Sequence, residues 1–396
     1  VIACGRVLAV GNGLVDAIMP PLALGSTVEI DRRLGTVCAA HERGVTIRMH
    51  GTLEGIVRGT AVRESTAAPA ALGIGALGRR IDASEGTFAC ETGPRAPVDR
   101  PLFTGVRAID ALLTIGRGAR VGIFGSPGAG KSTLLETIVR GTAADAVVLG
   151  LVGERGREAH AWLACLDRRT TIVCATSDRP AAQRVAAAHT ALAQANALAA
   201  RGLHVLLLLD SLARVAAALR ECALAAGEPA GRGGYPPSVF ASMAHLCERA
   251  GSFAFGSITM IATVLSEGDD RDPVSESARS LLDGHIVLSP SLARAGRFPA
   301  IDVVASASRT MDAVTGPEHR RRAGRVRAAL ARLDAMADAR ALGVEASDPW
   351  TLAAVTAEPA IERLLRQGRD PVPAPATLEA LRETADTLGV AYEHCE

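Results

Sequence analysis

Aromatic residues are scarce: Phe, Tyr and Trp make up 3% of the 396 residues. That disfavours a base-stacking platform for single-stranded nucleic acid, which is built from exposed rings. An excess of one charge is lacking too, since 43 Lys and Arg stand against 42 Asp and Glu, a net charge of +1 at pH 7. This argues against a protein whose affinity rests on a broad basic surface. No run approaches the roughly 18 continuous apolar residues of a membrane-spanning helix. The eight cysteines (Cys4, Cys38, Cys90, Cys165, Cys174, Cys222, Cys247 and Cys395) include no Cys-x-x-Cys pair, which argues against zinc and thioredoxin-type chemistry. Scattered through a chain of this length, they read as reduced and mostly buried small apolar side chains. The first residues, Val1-Ile2-Ala3-Cys4-Gly5-Arg6, show no positive region followed by an apolar core, so no signal peptide is visible. The chain starts without Met. The expected compartment is the cytoplasm. No internal repeat is found.

What is present is aliphatic. Hydrophobic residues reach 48%, enough for sizeable cores, and the length suggests roughly two to three domains. Residues 1–68 hold short β-type runs, such as Arg6–Val10, Ser26–Ile30 and Val45–His50, separated by Gly-rich turns. Their spacing fits a small barrel or sandwich. Residues 69–100 read as a connector. Across 101–314, apolar blocks alternate with helical segments: Val121–Phe124, Val147–Val152, Thr171–Ala175, Val205–Leu209, Ile258–Val264 and His285–Leu288. That alternation predicts a parallel α/β sheet. Residues 315–396 are rich in Ala, Arg and Leu with helical spacing. Leu330, Leu333, Met336 and Ala337 fall on one face, the Pro371–Pro375 segment interrupts the pattern, and one short helix is expected after it.

The strongest chemical signal is Gly125-Ser126-Pro127-Gly128-Ala129-Gly130-Lys131-Ser132, a full match to the phosphate-loop pattern G-x-x-x-x-G-K-[ST]. A strand enters it and a helix starting with Thr133 leaves it. Glycines let backbone N–H groups converge on phosphate oxygens, and the helix N-terminus adds partial positive charge. Lys131 supplies a full charge to the β- and γ-phosphates of a nucleotide, and the Ser132 hydroxyl can ligate Mg²⁺. An acid must complete the metal shell. The run His204–Leu209 ends in Asp210, at the carboxyl edge of the expected sheet. Asp210 is read as that acid, with a cap for the helix opening at Ser211 as the alternative. Glu154, in Gly153-Glu154-Arg155-Gly156-Arg157-Glu158, follows the strand Val147–Val152 and is placed to orient an attacking water. A charged helix start is the alternative there.

The chain resembles the RecA-like rotary and secretion ATPases, the group that includes the F1 ATP synthase β subunit and the flagellar and type III secretion export ATPases. The nearer match is to the export ATPases. It is carried by the Gly153–Glu158 segment, Thr104–Asp110, Gly233–Phe240, Glu248–Gly251, Glu267–Asp270, Leu282–Ser289 and Pro299–Asp302. Cys174-Ala175-Thr176-Ser177-Asp178 looks more like the injectisome members. The resemblance implies an α/β fold: a RecA-like P-loop core with an N-terminal β-barrel and a C-terminal helical domain. It implies that Glu154 is the catalytic carboxylate. It implies that Arg309, in Ser306-Ala307-Ser308-Arg309, is an arginine finger acting in a neighbour's site, so that a homo-hexamer is expected. Where the family has an adenine-stacking Tyr just after Glu318-His319, this chain has Arg320, whose guanidinium can also stack on a purine.

The resemblance further implies Mg²⁺-dependent ATP hydrolysis that energises type III protein secretion by releasing and unfolding export substrates. The partners it implies are stalk and stator proteins of the apparatus and chaperone–substrate complexes, with no direct nucleic acid contact. The location it implies is the cytoplasmic face of the apparatus, peripheral to the inner membrane. Other classes remain open: an F1/V1-type rotary or non-catalytic ring subunit, or an RNA-translocating hexameric ATPase. The loop Gly227–Tyr235 resembles the segment lining the ring's channel. The basic cluster His319–Arg322 with Arg325 and Arg327 reads as a solvated helix face or as a docking surface for an acidic partner.

Overall fold

The structure is a computed structural model. It describes residues 3–11, 14–49, 53–65, 73–78, 80–82, 94–126, 128–163, 167–265, 272–343 and 347–389. Pro127, the Glu267–Asp270 motif, Cys90, Cys165 and Cys395 lie outside the described residues. Two compact units account for the chain. One comprises Val1–Arg95, Asp145–Val264 and Arg271–Leu281, the other Ala96–Ala144, Leu265–Asp270 and Leu282–Glu396.

The first unit opens with a closed barrel of six strands, Cys4–Gly11, Leu14–Ile18, Thr27–Ile30, Arg33–His41, Gly44–Met49 and Ala61–Glu64. Period-2 alternation builds it. In Thr27-Val28-Glu29-Ile30, Val28 and Ile30 point inward and are fully buried, as a strand with one wet face requires. Val15, Val37, Val45, Ile47 and Val62 complete an aliphatic interior. Closure pairs the sixth strand with the first, Gly5 opposite Val62, so no strand edge of the barrel is left bare.

The same unit holds a parallel sheet. Ser257–Leu265, His204–Asp210, Ala146–Val152 and Thr170–Ala175 lie side by side in that order, and Arg80–Asp82 pairs with the last. Ala146–Val152 is buried at every position, as expected for a strand covered on both faces. Helices Ala181–Ala199, Leu212–Ala225 and Pro237–Glu248 accompany these strands. Among the described cysteines, Cys174, Cys222 and Cys247 are buried and none forms a disulfide.

In the second unit, Arg120–Gly125 pairs parallel with Gly284–Leu288. The strand Ile301–Ser308 then pairs antiparallel with Gly284–Leu288. The parallel sheet expected from the alternation is thus extended by an antiparallel strand that the alternation did not include. The antiparallel return runs through residues 289–300, which hold the five-residue helix Pro290–Arg294. Helices Pro317–Ala335, Pro349–Leu365 and Ala374–Thr387 form the C-terminal layer. In the first of them the fully buried stripe is Ala323, Val326 and Ala329, while Leu330, Leu333 and Met336 are half-buried and Ala337 is exposed beyond the helix end. Small residues at that stripe let the helix approach its neighbours closely.

Candidate active site

The phosphate loop takes the predicted setting. Strand Arg120–Gly125 leads into it and helix Lys131–Gly141 leaves it. Gly128 (φ 83°) and Gly130 (φ 89°) are both left-handed, conformations that a Cβ makes costly, so the glycines serve the backbone path. Ala129 is buried. The Lys131 ammonium donates to the carbonyls of Gly125 (2.6 Å) and Ser126 (3.1 Å), which holds it at the loop. Ser132, in the helix's first turn, is exposed.

Beside the loop lies a cavity of about 390 Å³. Gly130 and Thr133 form one side of it, and Phe298, Pro299, Ala300 and Gln367 contribute to the rest. Phe298 is 47% exposed, a ring available to a ligand face. The Gln367 amide is fully engaged: it donates to Gly105 O (2.8 Å) and Asp370 O (2.9 Å) and accepts from Arg107 N (2.8 Å). Arg320 does not line this cavity. Its guanidinium donates to the carbonyls of Asp312 (2.6 Å) and Thr315 (2.8 Å). Phe298 and Gln367 escaped sequence reasoning. The available signal was a rare aromatic placed directly before Pro299-Ala300-Ile301-Asp302.

Glu154 and Asp210 come together in the other unit. Glu154 follows Gly153, whose φ is 70° and whose Cβ, were there one, would press on the Arg214 side chain at 3.2 Å. That turn delivers a carboxylate only 6% exposed. Arg214, one turn into the helix capped by Ser211, meets it at 3.4 Å and also donates to Gly153 O. Burial, a hydrogen bond with Glu158 and the charge of Asp210 all raise the Glu154 pKa, against the lowering effect of Arg214. Glu158 is correspondingly lowered by that hydrogen bond. Glu154 is therefore the proton-holding member of the pair, and its protonation state can be changed by nearby charge. Asp210 accepts from Thr263 Oγ1 at 2.5 Å. Arg214 and Thr263 also escaped sequence reasoning, because neither belongs to a short motif.

Arg309 stands just past the strand Ile301–Ser308, exposed, with its backbone N–H on Asp283 O at 2.9 Å. Among the described residues its guanidinium has no hydrogen-bond or ion-pair partner. Asp110, which ends the Thr104–Asp110 motif, serves the fold. Its buried carboxylate accepts from Thr104 N (2.8 Å), Thr104 Oγ1 (2.7 Å) and Gly105 N (2.9 Å). The basic cluster is largely used internally. Arg321 and Arg322 pair with Glu318, and Arg327 donates to backbone carbonyls.

A strand, a Gly-rich loop and a Lys-Ser helix start, with acids at the ends of parallel strands and a closed barrel before them, define a RecA-like P-loop ATPase. Comparison with known proteins makes this specific. The sequence model described as "ATP synthase alpha/beta family, nucleotide-binding domain" matches residues 105–308. The type 3 secretion system ATPase of Pseudomonas syringae pv. syringae is 42% identical, over 97% of this chain and 94% of its own length. The assembled ATPase EscN of the enteropathogenic E. coli type III secretion system superposes with a TM-score of 0.87 at 37% identity, over 96% of this chain and all of that one. EscN in complex with its central stalk EscO gives 0.85 at 36%, with the same coverage. The chain belongs to the type III secretion ATPases of the ATP synthase alpha/beta family.

Proposed function

We propose that this chain hydrolyses ATP, in a homo-hexameric ring, to energise type III protein secretion by releasing export substrates from chaperones and unfolding them. The observation that carries this reading is the intact phosphate loop, in its strand–loop–helix setting, within a chain similar to secretion ATPases over nearly its whole length.

Lys131 and the backbone N–H groups of the 125–133 loop, Pro127 apart, bind the phosphates, and Phe298 offers its face to the base. Ser132 and Asp210 each offer an oxygen of the kind a magnesium ion takes. An exposed hydroxyl and a carboxylate are hard oxygen donors, and Mg²⁺ takes one or two such ligands beside phosphate oxygens and waters. When bound, that ion supplies charge neutralisation at the β- and γ-phosphates. Glu154 orients the attacking water and takes its proton once ionised, and positive charge near the carboxylate favours that ionised form. Arg309, exposed and without a side-chain hydrogen bond or ion pair among the described residues, serves a neighbouring subunit.

Assembly is supported by the likeness to assembled EscN and by Leu8 and Ile18, exposed apolar side chains on the first two barrel strands, which suit barrel-to-barrel packing. The loop Gly227–Tyr235 faces the ring's channel and a stalk protein, a reading supported by the EscN–EscO complex. Tyr235 is steadied there by Arg220, whose guanidinium lies 5.3 Å from the ring centroid. Stator proteins and chaperone–substrate complexes are the other partners. No helix among the described residues is long and apolar enough to cross a membrane. The proposed place is the cytoplasmic face of the apparatus, with the inner membrane reached through other components.

The test is Glu154→Gln. It should bind ATP with near wild-type affinity while hydrolysis falls by about 10²–10⁴-fold, and it should abolish secretion in a strain that depends on this chain. Near-normal turnover would overturn the assignment.

A further inference from the structure

The guanidinium of Arg309 is exposed, but the chain beneath it is held at every residue. Arg309 N donates to Asp283 O (2.9 Å), and the Asp283 carboxylate is itself gripped by Arg120 through its backbone N (2.9 Å) and Nε (3.2 Å). Ser308 Oγ donates to Thr114 O (2.7 Å), and Thr310 Oγ1 accepts from Gly116 N (3.0 Å). One further anchor comes from the C-terminal helix Pro317–Ala335. Arg327 donates through Nη1 to Leu112 O (3.1 Å) and through Nη2 to Ser306 O (3.0 Å).

This anchor is chemically odd for a packing residue. Among the described residues Arg327 has no carboxylate partner, and burial lowers its pKa. Holding a cation there on carbonyls alone costs more than an apolar side chain of the same reach would. What it gains is geometry. Leu112 O is a terminal carbonyl of the helix Arg107–Leu112, a group without an intrahelical partner. Ser306 lies three residues before Arg309. A rigid guanidinium fork can hold both carbonyls at a set spacing, which a flexible ammonium cannot.

We propose that Arg327 is the positioning residue for Arg309. It fixes the end of strand Ile301–Ser308 to the C-terminal helix, so that the seating of that helix sets where the finger guanidinium reaches. The inference rests on the reading of Arg309 as the residue that acts on a neighbour's ATP.

The test is a double-mutant cycle on the assembled protein, with Arg309→Ala, Arg327→Met and both together, and with assembly checked by light scattering. Arg327→Met should lower kcat by about 10- to 100-fold, the scale of a misplaced catalytic group, with KM for ATP within about twofold. In the Arg309→Ala background it should cause no further loss. Arg327→Lys should recover only part of the rate. If Arg327→Met does not assemble, the cycle runs with Arg327→Lys, which keeps the charge. An equal loss in both backgrounds would reduce Arg327 to a general structural role, and a wild-type kcat in Arg327→Met would remove the role altogether. A slow Arg309→Ala protein with a normal Arg327→Met protein defeats the positioning claim alone. A fast Arg309→Ala protein defeats the reading of Arg309 beneath it.

Discussion

The acid cluster around Glu154 and the strand end that carries Arg309 satisfy their charges in opposite ways. Glu154 is buried and shares its proton with Glu158 under the influence of Asp210 and Arg214. Arg309 is exposed and its side chain makes no hydrogen bond or ion pair among the described residues, while its backbone is pinned. A buried carboxylate must find its partners within its own subunit, or its desolvation goes uncompensated. An exposed guanidinium costs little to leave solvated, so it can be kept for a partner that arrives later. The first arrangement tunes a proton; the second suits the proposed role of Arg309 in a neighbouring subunit's site.

Each prediction presses on that contrast. Beside the loss expected for Glu154→Gln, a large effect is expected at the open end. Arg309→Ala should lower kcat by about 10³-fold in the assembled ring and leave the slow turnover of dilute, unassembled protein unchanged. Steady-state assays across protein concentration check this, and equal losses in both states would mean that Arg309 acts within its own subunit.

At the closed end the readout is pH. Glu154 must be ionised to accept a proton, and its pKa is raised, so kcat should rise with pH through the neutral range. Arg214 lowers that pKa. Arg214→Met should therefore raise it further and move the rising limb of the kcat profile to higher pH, by about 1 unit. A limb that stays in place would mean the rate does not report on Glu154.

A smaller change is expected in the cavity beside the phosphate loop. Phe298→Ala should raise KM for ATP by about 5- to 10-fold with kcat nearly constant, as the loss of one base–aromatic stack at about 1–3 kcal/mol implies. Arg320→Ala, measured alongside it, decides between the two candidate base contacts, and the larger KM effect marks the one that stacks. The smallest catalytic effect belongs to Asp110, a buried carboxylate whose partners are all local. Asp110→Asn should cost about 1–3 kcal/mol in a thermal or urea melt, because an amide NH₂ would face N–H donors. Its kcat per folded molecule should hardly change.

Much of this molecule was legible in its sequence. Six apolar blocks became the six strands expected between Arg120 and Leu288, because a buried strand is written in consecutive β-branched and aliphatic residues. The antiparallel Ile301–Ser308 was not foreseen as part of the sheet, since its burial is broken by exposed Val304 and Ala305. Arg214 and Thr263 were invisible for another reason. Each acts through a contact with a residue many positions away, and nothing in its own neighbourhood announces that contact.

The sequence alone determined the phosphate loop, because an anion cradle is made of contiguous backbone N–H groups and needs only glycines, a lysine and a helix start in the right order. It also determined the barrel's inner face, because alternation is a local property. Tertiary structure decided the rest. Burial together with Glu158, Asp210 and Arg214 sets the proton affinity of Glu154. Phe298 comes to stand beside Gly130, and a guanidinium from the C-terminal helix holds Ser306. Proton affinity and placement depend on what lies within a few ångströms in space, and folding alone brings those groups together.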